Sequence, residues 1–282
     1  MNNRNRILAR LVPAALLVGL VAAPAAAGRG GSFASIRSAA EHGNPDAIVA
    51  ALEQAENIPC TSECMTFVMG LLDHDSYYVR DGAAWWFARR PAQKSELAER
   101  ARARLASGDS AQVRSAADTL ARVGHPRVVA DLAAALGRSG LSDEARVHTV
   151  RALGKIAHAS ASPHLAAAMT DASAGVRREA IQAWSGILRQ SGAEPVVALV
   201  GDGDVSVRRA ATQTVGRFRA TAARTALEQL VVGDPDPAVR RNAAWALGRI
   251  GDRASRAALE AASGDSSSLV RMTARAALRQ VR

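Results

Sequence analysis

Apolar and polar residues along this chain follow a helical rhythm that restarts about every thirty residues. From seven lead positions, Val79, Val113, Ala145, Val176, Val207, Val239 and Val270, small or apolar residues recur at +4, +8 and +11. At about 100° per residue these positions share a stripe about 80° wide, the face of a helix that buries one side. Successive lead positions are 34, 32, 31, 31, 32 and 31 residues apart, and a near-constant period of this length marks stacked structural repeats. After Val113 the apolar Leu120 and Val123 arrive one residue early, which predicts a local deletion or bulge in that copy.

Three residues before each lead position stands Ser76, Ser110, Ser142, Ser173, Asp204, Asp236 or Ser267. A serine or aspartate there accepts a hydrogen bond from an unpaired N–H of the first turn, worth about 1 kcal/mol, so each lead residue is predicted to be the third of its helix. Pro237, directly after Asp236, suits the first helical position. Shorter stretches rich in alanine and leucine, 127–136, 222–232 and 254–262, supply a preceding helix. Gly124, Gly192 and Gly251 separate one pair from the next, and Asp171, Asp202, Asp234 and Asp265 mark the turn inside a pair. Each unit is therefore predicted to be a helix hairpin.

The run Val239, Arg240, Ala243, Ala244, Leu247, Gly248, Ile250, Gly251 and its weaker copies resemble the HEAT family, and more closely its short bacterial form, the phycobilisome-lyase-type HEAT-like repeat. The resemblance covers about residues 62–282. It implies an all-α fold: a right-handed α-solenoid of about seven HEAT-like hairpins whose second helices line one curved surface. It also implies that the arginine at +1 of every copy (80, 114, 146, 177, 208, 240, 271) joins an Asp–Arg ladder between neighbouring repeats. Function does not follow, because such folds host unrelated activities. Residues 28–58 lack the consensus, yet Ile36, Ala39, Ala40, Ile48, Ala51, Leu52 and Ala55 keep helical spacing. They predict a divergent N-terminal cap on a solenoid spanning 59–282, since a solenoid end must cover apolar surface that has no neighbour.

Residues 1–27 predict a signal peptide: Arg4, Arg6 and Arg10, the apolar run 11–23, then Pro24 and a small-residue site ending at Ala27. The run is shorter than the roughly 20 residues of a spanning helix and holds Pro13 and Gly19, so a soluble exported protein, periplasmic or secreted, is expected. Losing the three arginines lowers the formal charge from +10 to +7, and Lys94 and Lys155 are the only lysines. A basic charge carried by arginine suits bidentate pairing with carboxylate or phosphate, though structural Asp–Arg pairing accounts for it equally.

Candidate chemistry is sparse. Cys60 and Cys64 are the only cysteines, and in an exported chain they read as a structural disulfide. A metal or redox pair activated by the helix that begins near Ser62 is the alternative. The six histidines (42, 74, 125, 148, 158, 164) are scattered and form no H-E-x-x-H motif. Asp73/Asp75, Asp202/Asp204 and Asp234/Asp236 have the look of calcium loops but lack the glycine and distal glutamate of an EF-hand. No phosphate-binding lysine loop, G-x-S-x-G or dinucleotide glycine motif occurs. No catalytic residue, metal or cofactor is assigned.

The informative positions are +2, +6 and +10 of each second helix, opposite the core stripe. They place Trp85, Arg151 and Trp245 at +6 and Arg178, Arg209 and Arg241 at +2, a pairing of tryptophan with arginine typical of interface hot spots. Packing between repeats is the competing reading for the two tryptophans, and a solvated face for the arginines. The pattern favours a monomeric, non-enzymatic scaffold for an acidic or extended protein partner. A bilin-lyase-like or other enzyme on the same scaffold is one alternative, disfavoured by export. A binder of nucleic acid or another polyanion is the other, disfavoured by export and the scarcity of lysine.

Overall fold

The helix starts follow from their capping chemistry. Ser142, Asp204 and Asp236 each accept a hydrogen bond from a backbone N–H of the turn they open, and Ser76, Ser173 and Ser267 occupy the same extended cap position. Ser110 is an exception to the predicted pattern. There Asp109 is the cap, accepting the Gln112 N–H at 2.9 Å while the Gln112 side chain accepts the Asp109 N–H at 3.2 Å, so the helix begins one residue early, at Ser110. A carboxylate with a partner three residues on outcompetes the hydroxyl beside it.

The computed structural model describes residues 31–123, 125–187 and 192–281; the leader assigned to residues 1–27, and Gly124, lie outside them. The first hairpin is α1 (Phe33–Glu41) and α2 (Pro45–Gln54). Seven more follow: α3 (Ser62–Leu71) with α4 (Tyr77–Ala88), α5 (Pro91–Ser107) with α6 (Ser110–Val123), α7 (Val129–Leu136) with α8 (Asp143–Ile156), and α9 (Ser162–Ala168) with α10 (Ala174–Gly186). The last three are α11 (Glu194–Val197) with α12 (Val205–Arg217), α13 (Arg224–Gly233) with α14 (Pro237–Ile250), and α15 (Arg256–Ala262) with α16 (Ser268–Leu278). The described residues contain no strand, and no described helix is long and apolar enough to cross a membrane. The first helices are not all short, however: α5, at 17 residues, is longer than its partner α6.

Second helices pack on one another in succession from α2 to α16, and the lead residues Val79, Val113, Ala145, Val176, Val207, Val239 and Val270 are all buried. α6 runs without interruption, so its irregular pattern is no bulge; its apolar buried stripe is Val113, Ala116, Ala117 and Leu120, with Ser115, Asp118 and Thr119 also buried. Glycine at +9 sets the approach between neighbours. A Cβ on Gly248 would come 2.8 Å from the Cβ of Ala277, and one on Gly216 would come 2.5 Å from the ring of Trp245.

From Arg146 onward a ladder bolts each unit to the next. Nε of Arg146, Arg177, Arg208 and Arg240 donates to the turn aspartate of the following hairpin, Asp171, Asp202, Asp234 and Asp265, at 2.7–2.9 Å. Nη1 of the last three donates to carbonyls of its own turn, as between Arg208 and Asp202 at 2.9 Å. The other carboxylate oxygen accepts the N–H of the cap residue two positions on, as between Asp234 and Asp236 at 2.8 Å. One aspartate thus joins turn, cap and neighbouring unit.

Candidate functional site on the inner face

Positions +2, +6 and +10 face away from the first helices, and residues two hairpins apart touch there. Lys155 of α8 reaches across α6 to donate to the Tyr77 hydroxyl and to Asp81, both of α4, and Arg122 of α6 pairs with the same Asp81. Such a contact is open only to the inside of a curve, so the second helices line the concave side. Burial alone would lower the Lys155 ammonium, but the Tyr77 hydroxyl and the Asp81 carboxylate outweigh it and hold it above its ordinary value.

Beneath this tie lies a buried ionic group. Ser107 and Gly140 stand two residues before the caps Asp109 and Ser142, where later units carry aspartate. Asp118 of α6 substitutes in the first of these units: one oxygen accepts Arg80 Nε at 2.8 Å, and the other contacts His148 Nδ1 at 2.7 Å. All three are nearly solvent-free, and the Tyr77 ring covers His148 at 5.8 Å between centroids. An aspartate orienting a histidine is the arrangement of a general base, but this carboxylate is shared with Arg80 and the imidazole is covered, so the geometry braces α4, α6 and α8. Where Gly140 replaces the turn aspartate, Arg114 donates through Nη1 to Glu144 at 2.9 Å instead, and its Nε is buried with no hydrogen-bond partner.

Other histidines have structural partners: Nδ1 of His74, His125 and His158 accepts a backbone N–H two residues on, and that of His42 contacts the Ser38 carbonyl. Among the described residues no three His, Cys, Asp or Glu side chains converge as metal ligands. The suspected calcium-loop aspartates are engaged: Asp73 by Arg104 at 2.7 Å, Asp202 and Asp234 in the ladder, Asp204 and Asp236 as caps. Cys60 and Cys64 have Cα atoms 5.4 Å apart and bonded sulfurs. They sit at the start of α3, beside a groove of about 670 Å³ between α3 and α5 lined by Met65, Met69, Glu96 and Arg100.

The six residues singled out for partner binding are spread along the inner face in different states. Trp85 is half-buried, with the Arg89 guanidinium 5.3 Å from its ring. Arg151 pairs with Glu179 at 2.9 Å, which raises its pKa, and lies 5.6 Å from the Tyr77 ring. Arg178 is half-buried. Arg209 is not a free cation: it holds Asp236 at 2.9 Å and draws that carboxyl down to about 2. Arg241 and Trp245 do come together, lining a cavity of about 280 Å³ with Gln213, Asn242 and Thr273. Trp245 is 39% exposed, its ring lying on the Gly216 backbone.

The fold defines the class: an α-solenoid of helix hairpins joined by an Asp–Arg ladder. The repeats are HEAT-like, and residues 193–279, the last three hairpins, match the family of HEAT repeats. The crystal structure of Escherichia coli YibA superposes with a TM-score of 0.58 at 13% identity, covering 88% of this chain and 93% of that one. A designed armadillo repeat protein in complex with the peptide (KR)4 is similar at TM-score 0.46 and 19% identity, over 77% and 98% of the two chains. The CpcE–CpcF complex of phycocyanin lyase from Nostoc is similar at TM-score 0.41 and 18% identity, over 81% and 97%. No curated protein sequence matches the chain.

Proposed function

We propose that this chain is an exported, non-enzymatic scaffold that holds a protein partner on its inner face, acting in the periplasm or outside the cell. The observation that carries the reading is the cavity where exposed Trp245 stands beside Arg241 among Gln213, Asn242 and Thr273. A tryptophan left open to water on a rigid helix, next to a guanidinium and uncharged hydrogen-bonding groups, is the composition of an interface anchor. The basic, small-residue-limited leader supports export, and export in turn supports a Cys60–Cys64 disulfide in the mature chain.

The test is a pull-down from the envelope fraction with the mature chain as bait and an Arg241→Ala/Trp245→Ala chain beside it. A protein retained by the first and lost by the second is the expected result. Equal retention would move the interface off this face, and no retained protein would sink the scaffold reading. N-terminal sequencing of the secreted product, expected to begin at Gly28, tests the leader separately.

A further inference from the structure

The two halves of the inner face differ in charge. Around α4, α6 and α8 the acids Asp81, Asp118 and Glu179 are matched with Arg122, Lys155, Arg80 and Arg151 in closed pairs. From α12 onward the second helices hold no acidic residue. Arg217, Arg241 and Arg249 are exposed and form no ion pair with a described residue, though Arg241 donates to Asn242 Oδ1 at 3.2 Å and Arg217 lies 5.7 Å from the Phe218 ring.

Their register is regular. On α12 the stripe reads Arg209, Gln213, Arg217; on α14 it reads Arg241, Trp245, Arg249; on α16 it passes through Met272, 65% exposed. Residues four apart lie one above another on a helix, so guanidinium groups flank Trp245 above and below. Arg209 is already satisfied by Asp236, which leaves Arg217, Arg241 and Arg249 on the two stripes that hold Trp245. Gly216 gives the indole a flat backbone floor, fixing the ring before anything binds.

We propose that this face binds an extended acidic peptide, with carboxylates on Arg217, Arg241 and Arg249 and an apolar side chain on Trp245. This rests on the scaffold reading and narrows it to one end of the solenoid and one partner chemistry. Charge complementarity supplies the first argument: exposed guanidinium forks on helices that carry no acid suit carboxylates bidentately. The exposed Gln213 supplies the second, since it lines the cavity and an amide both donates to and accepts from a peptide main chain; Asn242 beside it is engaged by Arg241 and by the Arg209 carbonyl. Three helices spaced about 8–10 Å apart span roughly 20 Å, the reach of about six extended residues. A nucleic-acid strand is a poorer fit, because successive bases need successive aromatic platforms and Trp245 is the one aromatic on these three stripes.

The test uses the full mature chain and fluorescein-labelled peptides of about nine residues. A Glu-Glu-Leu repeat is compared with Glu-Glu-Ser and Lys-Lys-Leu repeats and with single-stranded DNA of equal charge. The Glu-Glu-Leu peptide should bind, the Lys-Lys-Leu peptide should not, and Arg241→Glu/Arg249→Glu should weaken binding at least about tenfold. Trp245→Ala should remove the preference for leucine over serine. Both arginines are exposed and in no ion pair with a described residue, and an unchanged melting temperature certifies the variants. No binding of the Glu-Glu-Leu peptide, equal binding by the charge-reversed chain, or tighter binding of DNA would overturn the proposal. A protein captured from the envelope by both the parent and the charge-reversed chain would overturn it while leaving the scaffold reading intact.

Discussion

A methyl group placed on Gly154 of α8 would lie 2.6 Å from the Cβ of Ala183 on α10. Neither helix can yield without moving its own core, so Gly154→Ala should destabilise the fold by about 1–3 kcal/mol, the usual range for overpacking. At Gly186, the last residue of α10, the same methyl group would meet nothing within 4 Å. Gly186→Ala should therefore be neutral or stabilising by up to about 1 kcal/mol. Urea unfolding of both variants separates contact from propensity, and equal effects would refute the packing account.

Asp234 serves three bonds at once: Arg208 Nε at 2.7 Å, Arg208 Nη2 at 3.3 Å and the Asp236 N–H at 2.8 Å. Asp234→Ala should cost about 2–4 kcal/mol, because it leaves a largely buried guanidinium without its carboxylate. Asp252→Ala removes a surface pair with Arg224 and a turn cap, and should cost about 1 kcal/mol. Chemical denaturation that ranks them the other way would remove the ladder from the list of main stabilisers.

Acid should unfold the protein through three carboxylates of the caps and turns, Asp236, Asp265 and Asp202. Asp236 is held at about 2 against an ordinary 3.8, first by its bond from Arg209; the Arg240 bond likewise lowers Asp265. Burial opposes the shift at Asp202, but Arg177 and a backbone N–H prevail and it too is lowered. Groups with depressed folded pKa values stabilise the fold fully above the unfolded value and lose that contribution as pH falls through the folded one. Urea midpoints should hold down to about pH 4 and drop between there and pH 2. Asp236→Asn, which keeps a capping side chain, should make that drop shallower; an unaltered pH profile would contradict the assignment.

The parts of the fold readable in sequence were those set within one or two turns. The lead residues Val176, Val207, Val239 and Val270 mark their helices because cap, stripe and turn aspartate lie within about a dozen residues of one another. Ser110 misled because the neighbouring Asp109 completes a capping box with Gln112. The Arg80–Asp118–His148 group was out of reach, since its members come from three hairpins and none occupies the surface stripe. One signal did exist: where Ser107 replaces the turn aspartate, the out-of-step helix carries Asp118 instead. Among the surface positions, sequence could place Arg209 and Arg241 on one face but not show that Asp236 had claimed the first.

The Cys60–Cys64 bond pins the start of a helix with grooves on both flanks, one lined by Met65 and Met69, the other by Phe67 and Arg37. A loop this short should contribute about 2 kcal/mol by chain entropy. Reduction, or Cys60→Ser/Cys64→Ser, should lower global stability by no more than that while speeding amide exchange within α3 well above the rates in α14. Intact mass with and without reductant establishes the bond in the secreted product, and exchange rates that stay equal in α3 would deny it a local role.

The Lys155–Tyr77 contact ties the first repeats across an intervening helix, whereas the closing repeats are joined to immediate neighbours by their ladder. A row of hairpins behaves as a spring, and a strut spanning two intervals raises its bending stiffness where it sits. At the amino end a load on one hairpin is thus shared with the next but one, and at the carboxyl end it passes along the ladder from each hairpin to its neighbour.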